Sequence, residues 1–184
     1  MDVALITGTT REGRFSALVA QWITAHLAEH PEVVIDGVDL RDHPLPFFDG
    51  MAPARTGRDY ARDDVARLGT AIDRADGYVV LTGEYNHGYP AVLKNALDYV
   101  YSVWGRKAVA FVSWGGTGGA RGVEQLRLVA VELDMVPIRW AVHIPNPWFI
   151  QDVSGVATDV NNQAAKALLD HLTWWSSALK TARN

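Results

Sequence analysis

The sequence predicts a three-layer α/β fold, in which helices cover both faces of one five-stranded parallel sheet. Five short runs rich in β-branched residues occur at residues 3–7, 33–39, 77–82, 108–114 and 136–144. Most of them are continuous apolar runs, which is typical of parallel strands buried on both faces. Segments with apolar residues at helical spacing separate these runs. Because strand and helix alternate along the whole chain, right-handed crossovers favour the flavodoxin-like strand order 2-1-3-4-5.

Three helices are recognised by an apolar stripe that should face the sheet. The stripe of the first is Phe15, Leu18, Val19, Trp22, Ile23 and Leu27; that of the fourth is Val123, Leu126, Ala130 and Leu133; that of the last is Ala165, Leu168, Leu169, Leu172, Trp175 and Leu179. The helix after Pro90 differs, because it is apolar around most of its circumference. Contact with one sheet does not require this pattern, which therefore predicts a second buried face and a subunit interface.

Two stretches, residues 41–58 and 145–158, have no regular pattern and combine Pro, Gly and aromatic residues. Loops of this kind usually build or cover a site. The second stretch either lines a substrate pocket or closes a subunit contact, and we assign Tyr99, Tyr101, Trp104 and Trp148 to one of these two roles. Since we find no linker or repeat, we expect residues 1–184 to form a single domain.

Composition excludes several classes of function. Of the 184 residues, 48% are hydrophobic and 21% charged, as expected for a globular chain. The net charge of -4 gives no basic surface for nucleic acid or acidic membranes, so small molecules are the expected partners. The chain has no Cys, and any redox chemistry must therefore come from a cofactor. The N-terminal residues lack the pattern of a signal peptide, and no apolar run reaches transmembrane length, which predicts a cytoplasmic protein.

Ligands of open parallel sheets bind at the carboxyl ends of the strands, where the strand order reverses. The first loop at this edge, residues 7–16, carries hydroxyls, glycines and two arginines before a helix, as a phosphate site does. It has neither a Walker ending nor a dinucleotide-binding glycine pattern. The candidate cofactor contacts in this loop are Thr9, Thr10, Arg11, Arg14, Phe15 and Ser16. The alternative is an ordinary capped turn with solvated arginines.

The loops after the third and fourth strands suit a planar ligand. The former offers Glu84, Tyr85, Asn86 and His87 before a helix that begins near Pro90. No cluster with recognisable metal-ligand spacing accompanies His87, so we expect it to line the pocket and expect no metal. The latter offers Ser113, Trp114, Gly115 and Gly116, where glycines permit close approach and Trp114 supplies an aromatic wall. An anion site beside flat aromatic surroundings describes FMN.

These motifs resemble those of the NADPH-dependent FMN reductase family, flavodoxin-like flavoproteins that include chromate, azo and quinone reductases. Residues 8–11 with Ser16 resemble its phosphate loop, residues 84–90 with 93–98 its most specific signature, and residues 113–116, 119–121 and 124–127 its third motif. The resemblance implies non-covalent FMN, with its phosphate at the first motif and its isoalloxazine between the other two. It also implies NADPH or NADH as electron donor and a homodimer or homotetramer. Gly83 stands where the family often has Pro, and we expect it to loosen entry to the turn.

The expected activity is hydride transfer from the nicotinamide to FMN and on to a small acceptor in a ping-pong cycle, which needs no side-chain nucleophile. Free flavin, a quinone, an azo compound, a metal oxyanion or an aromatic metabolite remain open as acceptor. The alternatives are a flavodoxin-type electron carrier and a flavin-binding regulatory protein without useful turnover. The choice between NADPH and NADH also stays open, because Arg14, Arg55 and Arg58 are either 2′-phosphate contacts or solvated surface arginines.

Overall fold

The computed structural model describes residues 1–50 and 60–183 and confirms the predicted architecture. Within those ranges five parallel strands form one sheet in the order β2-β1-β3-β4-β5. The strands are β1 (Asp2–Thr7), β2 (Val34–Asp39), β3 (Gly77–Gly83), β4 (Ala108–Gly115) and β5 (Val136–Pro145). Each predicted strand is present, and its bounds agree with the prediction to within one residue at either end.

Helices cover both faces of this sheet. They are α1 (Ser16–Leu27), α2 (Asp63–Arg74), α3 (Ala91–Tyr99), α4 (Ala120–Glu132), α5 (Val153–Val156) and α6 (Asp159–Arg183). Helices α2, α3 and α4 pack on one face, and α1, α5 and α6 pack on the other. No helix in the described ranges combines the length and apolarity that crossing a bilayer requires.

The stretches expected to be irregular contain short helical pieces. A 3-10 turn at Leu40–Asp42 begins the first stretch, and a second at Pro147–Phe149 is followed by α5 in the other. Residues 51–58 of the first stretch lie outside the described ranges, and with them the candidate phosphate contacts Arg55 and Arg58.

The buried stripe of α6 differs from the predicted one near its end. Trp175 was expected to face the core but is 36% exposed, whereas Ser176 is fully buried. The hydroxyl of Ser176 occupies the space beside Gly77, where a side chain on residue 77 would stand. The buried stripe therefore continues from Leu172 to Ser176, four residues later, rather than to Trp175, three residues later. A search for apolar residues at helical spacing does not find a serine.

The apolar residues of α3 are buried within this chain. Leu93, Ala96, Leu97 and Tyr99 all belong to the core, and the ring of Tyr99 packs 5.1 Å from that of Phe48. The outer side carries the predicted ion pair between Lys94 and Asp98, with 2.7 Å between Nζ and Oδ1. These apolar residues are thus buried by intrachain packing, and the subunit interface stays a prediction. Trp104, assigned like Tyr99 to an interface or substrate, is also a core residue.

Strand β5, at one edge of the sheet, contains a register shift. Val109 pairs with Pro137 and Phe111 with Ala141. Between these pairs, one residue of β4 therefore lies opposite three residues of β5, 138–140. The guanidinium of Arg127 donates to the carbonyls of Ile138 and Arg139 at 2.7 and 3.0 Å. A side chain of α4 thereby satisfies backbone groups within the shifted segment.

Candidate functional site

The three loops predicted to share a site meet at the carboxyl ends of β1, β3 and β4. The guanidinium carbon of Arg11 lies 5.6 Å from the centroid of the Tyr85 ring, which joins the first loop to the second. The rings of Phe15 and Trp114, 5.7 Å apart, join the first loop to the third. An ion pair between Glu84 and Arg121 joins the second to the third. The predicted candidates are therefore brought together where the strand order reverses.

Part of the first loop is held by hydrogen bonds within the protein. The hydroxyl of Thr9 donates to Ser16 Oγ at 2.9 Å, and both residues are buried. Arg14 Nη1 donates to Asp39 Oδ1 at 2.7 Å at the end of β2, and the guanidinium also bonds the carbonyl of Thr9. Burial alone would raise the pKa of Asp39, but the hydrogen bond from Arg14 and that from the N–H of Arg41 bring it below its usual value. These residues shape the loop, and Arg14 is paired with an ionised carboxylate.

The exposed part of the same loop keeps groups that suit an anion. Thr10 and Arg11 are exposed, and Arg11 has no carboxylate partner in the ranges 1–50 and 60–183. No described side chain caps α1, whose N-terminal N–H groups and dipole favour negative charge. Arg41 supports this segment from the 3-10 turn after β2, because its Nη2 donates to Thr10 O at 3.1 Å. The first loop can therefore receive a phosphate at Arg11 and the start of α1.

The second loop is a two-residue hairpin turn. Tyr85 N donates to Gly88 O at 2.8 Å, and Gly88 N donates to Tyr85 O at 3.1 Å. Asn86 and His87 have φ values of 49° and 74°, so both central residues are left-handed, as in a type I′ turn. Within the described part of the chain their N–H groups have no hydrogen-bond partner. Gln125 of α4 donates to His87 O at 2.9 Å and holds the turn, which thus presents two unpaired donors on a fixed support.

Glu84, predicted as a cofactor contact, is turned into the protein. Its side chain is 3% exposed and accepts hydrogen bonds from Arg121 Nε at 2.7 Å and from Nη2. Burial alone would raise the pKa of Glu84, but the hydrogen bond and charge of Arg121, with the N–H groups of Gly122 and Arg121, lower it. The N-terminus of α4 is therefore already filled by an internal carboxylate, and the anion site at α1 has no counterpart here.

The third loop turns its serine into the protein, and the tryptophan that was predicted to form a wall of the cleft is buried as well. Ser113 is fully buried, and its Oγ lies 2.7 Å from Gly118 O and 2.8 Å from His143 Nδ1. It therefore ties the glycine loop to β5 rather than facing the cleft. Trp114 is 6% exposed and lies beside Gly83, where an added Cβ would stand 2.9 Å from its Nε1.

The expected loosening of the chain at Gly83 is therefore wrong. Gly83 is the last residue of β3, pairs with Trp114 in the sheet and is buried. An added Cβ would also stand 3.1 Å from Cε1 of Tyr85. The missing side chain lets the rings of Tyr85 and Trp114 both pack close to the backbone of residue 83, so this glycine permits tight packing between the two loops.

An exposed aromatic pair borders the third loop and includes Trp148, which the sequence assigned to a substrate or a subunit interface. Trp148 and Phe149 are 63% and 79% exposed, with their ring centroids 6.2 Å apart. The N–H of Asn146 donates to Gly115 O at 3.0 Å, and Cη2 of Trp148 lies 3.7 Å from where a Cβ on Gly116 would be. The stretch 145–150 is thus fixed to the glycine loop.

Sequence reasoning also missed Asp39, Arg41, Arg121 and Gln125 as supports of the site. The one available signal was that Arg121 and Gln125 fall within the third motif. These residues bond backbone or side-chain groups far away in the chain, and a local pattern does not encode such pairs.

The arrangement fits a phosphate joined to a planar polar ring system such as FMN. Arg11 and the start of α1 supply positive charge, and the turn supplies the donors of Asn86 and His87 beside the aromatic residues Tyr85 and Trp114. FMN would be held without a covalent bond, because every group in this set binds through hydrogen bonds, charge or stacking.

Comparison with known proteins agrees with this reading. The family model of NADPH-dependent FMN reductases matches residues 1–148. An NAD(P)H-dependent FMN reductase of Schizosaccharomyces pombe is 34% identical over 160 residues, covering 85% of this chain and 80% of the relative. A 2-hydroxy-1,4-benzoquinone reductase of a Burkholderia species is 35% identical over 146 residues, covering 74% and 73%.

Among solved structures, the flavoenzyme NAD(P)H:(acceptor) oxidoreductase FerB of Paracoccus denitrificans superimposes with a TM-score of 0.71. The match covers 98% of this chain and 97% of FerB at 22% identity, which supports the fold alone. The sequence matches confirm the resemblance and, with it, the oxidoreductase class, the FMN cofactor and the NAD(P)H donor. On the evidence of its sequence and of its site, the chain belongs to the NADPH-dependent FMN reductase family.

Proposed function

We propose that this chain binds FMN at the three converging loops and passes a hydride from NAD(P)H through it to a small acceptor in a ping-pong cycle. The observation that carries the proposal is the pairing of an anion site at Arg11 and α1 with a rigid turn that offers two unpaired N–H groups. Bound FMN supplies the hydride chemistry. The protein supplies binding, orientation and hydrogen bonds, and no nucleophilic side chain is needed.

For the phosphate, Arg11, Thr10 and the first N–H groups of α1 are the direct contacts. Guanidinium and helix N-terminus both favour a dianionic group, and hydrogen bonds to charged partners are the stronger ones. Three other residues of the loop support these contacts without touching the phosphate, because their polar groups bond one another or Asp39: Thr9, Arg14 and Ser16. Phe15 packs on Trp114 and closes the loop toward the ring site.

For the isoalloxazine, the turn of Tyr85, Asn86 and His87 and the loop of Trp114, Gly115 and Gly116 form the two sides. The N–H groups of Asn86 and His87 would donate to the polar edge of the ring and stabilise negative charge on reduced FMN. Glu84 and Ser113 belong to this site as supports, since both side chains are bonded within the protein.

The acceptor that the site favours is a small aromatic oxidant such as a quinone. Trp148 and Phe149 offer exposed ring faces beside the glycine loop, and stacking suits planar acceptors. One of the relatives reported above is a benzoquinone reductase. On this reading residues 145–150 line the substrate side of the cleft. We also propose that the chain is a single cytoplasmic domain and forms a homodimer or homotetramer, the last on the strength of the family resemblance alone.

The test begins with the visible spectrum and an FMN titration of the purified protein. Arg11→Ala should weaken FMN binding by about tenfold, the value of one charge-assisted contact. Arg62→Ala is the control, because Arg62 is an exposed arginine that pairs with Asp64. Equal effects of the two changes would remove the role of Arg11.

Activity then separates the remaining readings. Steady-state oxidation of NAD(P)H that requires both FMN and a quinone supports the reductase. FMN binding without such turnover would instead favour the electron carrier or the regulatory protein. A protein that neither binds FMN nor oxidises either nicotinamide would overturn the proposal.

A further inference from the structure

We propose that Glu84 and Arg121 act together as positioning residues that balance the affinity of the site for oxidised and reduced FMN. The inference rests on the proposed function, because it takes the isoalloxazine to lie between the loops that this pair connects. Neither side chain is assigned to contact the ring. Their effect on it comes from the charge they hold beside it and from the spacing they fix between the two loops.

The pair spans the gap between the turn and the glycine loop. Glu84 directly follows β3, and its N–H donates to Trp114 O at 2.8 Å. A Cβ added to Gly115 would stand 3.0 Å from the Cβ of Glu84. Arg121 lies in the first turn of α4, beyond the glycine loop. The hydroxyl of Thr117, inside that loop, donates to Glu84 Oε2 at 3.4 Å. Glu84 thus holds the glycine loop through its backbone N–H, at Trp114, and through its carboxylate, at Thr117, and the same carboxylate holds the helix behind the loop at Arg121.

The charges of this cluster cancel in the native protein. Arg121 and the N-terminus of α4 are positive, and the buried carboxylate of Glu84 offsets them. Glu84 is buried, whereas the side chain of Arg121 is 44% exposed, so removal of Arg121 leaves a charge that is weakly screened and removal of Glu84 leaves one that solvent screens more strongly. Loss of Glu84 therefore leaves positive charge beside the ring site, and loss of Arg121 leaves negative charge.

The two redox states of FMN respond differently to such a charge. Above neutral pH the ring of reduced FMN carries a negative charge that the oxidised ring lacks, while the phosphate is common to both. The ratio of the two dissociation constants therefore reports the charge near the ring, and the contribution of the phosphate site cancels from it. Uncompensated positive charge favours the reduced form, and uncompensated negative charge favours the oxidised form.

The experiment measures Kd for oxidised and for reduced FMN, under anaerobic conditions for the latter, in Glu84→Gln, Arg121→Gln and the double variant. We expect the preference for reduced FMN to fall by about tenfold in R121Q, which leaves the buried carboxylate uncompensated, and to rise by a smaller factor, about twofold to threefold, in E84Q, where solvent screens the exposed Arg121. The double variant should return close to the wild-type ratio. Glu84→Gln keeps the size of the side chain and replaces the carboxylate with a neutral amide, whereas Arg121→Gln removes the charge and shortens the side chain but keeps hydrogen-bond donors.

Asp76→Asn is the matched control. Asp76 is also a buried carboxylate held by cations, Lys180 and Arg183, but it lies at the other end of β3, about 25 Å away at ~3.3 Å per residue. D76N should lower the melting temperature of the apoprotein without changing the ratio of the two FMN affinities.

The outcomes separate the inference from the function beneath it. Shifts of opposite sign in E84Q and R121Q, cancelled in the double variant, support the pair, since a loss of structure alone would not reverse sign. Shifts in the same direction, or a lower melting temperature with an unchanged ratio, would make the pair merely structural and overturn the inference. A wild-type protein that bound no FMN would instead overturn the proposed function.

Discussion

The conformation of the glycine loop after β4 can be tested at Gly119, whose φ is +80°. A Cβ added there would stand 2.7 Å from the Cβ of Ser113 and 2.8 Å from the backbone nitrogen of Trp114. Both neighbours belong to buried β4, so neither can move aside cheaply. Gly13 provides the comparison, because its φ is +62° but an added Cβ meets no described atom within 4 Å.

The two substitutions to alanine share one cost and differ in another. A left-handed backbone costs a non-glycine residue about 1–2 kcal/mol, and the less flexible unfolded chain returns roughly 0.4–1 kcal/mol of it. Forcing an extra methyl group into a packed interior adds about 1–3 kcal/mol. Gly13→Ala should therefore lower the free energy of unfolding by about 1 kcal/mol and Gly119→Ala by about 3 kcal/mol.

Urea unfolding of the apoprotein, followed by tryptophan fluorescence and circular dichroism, measures both values. The comparison is valid where the two variants keep the wild-type dependence on urea, which reports the surface exposed on unfolding. Equal losses of stability at the two glycines would refute the steric argument, because they would leave the backbone conformation as the sole cost. A wild-type stability for G119A would refute the described geometry of the loop itself.

Further predictions concern the two ends of the sheet. Lys107→Met should lower the free energy of unfolding by about 2 kcal/mol, because the buried ammonium donates to the last carbonyls of α2. Lys166 is exposed, and Lys166→Met should change the free energy of unfolding little. Burial alone would raise the pKa of Asp76, but its two cationic partners on α6 and a backbone N–H lower it. The stability that Asp76 contributes is thus complete above the pKa that this residue has in the unfolded chain, and it is lost as the pH falls through the lower pKa of the folded protein. D76N should therefore weaken the pH dependence of the free energy of unfolding below about pH 4. An unchanged pH dependence in this range would contradict the prediction. Trp148→Ala should raise KM for benzoquinone by about threefold to tenfold, because the stacking contact is lost. Trp174 is equally exposed on α6, and Trp174→Ala should leave this KM unchanged. Equal KM values for both variants would argue against an acceptor role for Trp148.

The strands and the position of the site followed from the sequence because both depend on local patterns and one topological rule. Continuous apolar runs set the strand bounds, and the order of a parallel sheet places three loops at one edge. The direction of each side chain within those loops does not follow from such patterns. Glu84 points to Arg121, 37 residues later in the chain, and Ser113 points to Gly118 and to β5.

The burial of two helices was predicted incompletely for a similar reason. The apolar excess of α3 predicts a second buried face, and part of that burial is provided by Phe48, which packs against Tyr99 from a loop that has no periodicity of its own. On α6 the buried stripe passes through Ser176 because Gly77 leaves room for a hydroxyl. In both cases the partner that decides burial is distant in sequence, so spacing along one helix could not reveal it.

The register shift in β5 limits how copies of this chain can assemble. An edge strand with free carbonyls is a template on which another chain can extend the sheet. In β5 the carbonyls of Ile138 and Arg139 are already bonded to Arg127, and the shifted segment departs from regular pairing geometry. A further strand could not keep regular pairing past this segment of β5. The irregular segment therefore shortens the edge that another chain could extend, which guards the folded chain against strand-by-strand aggregation.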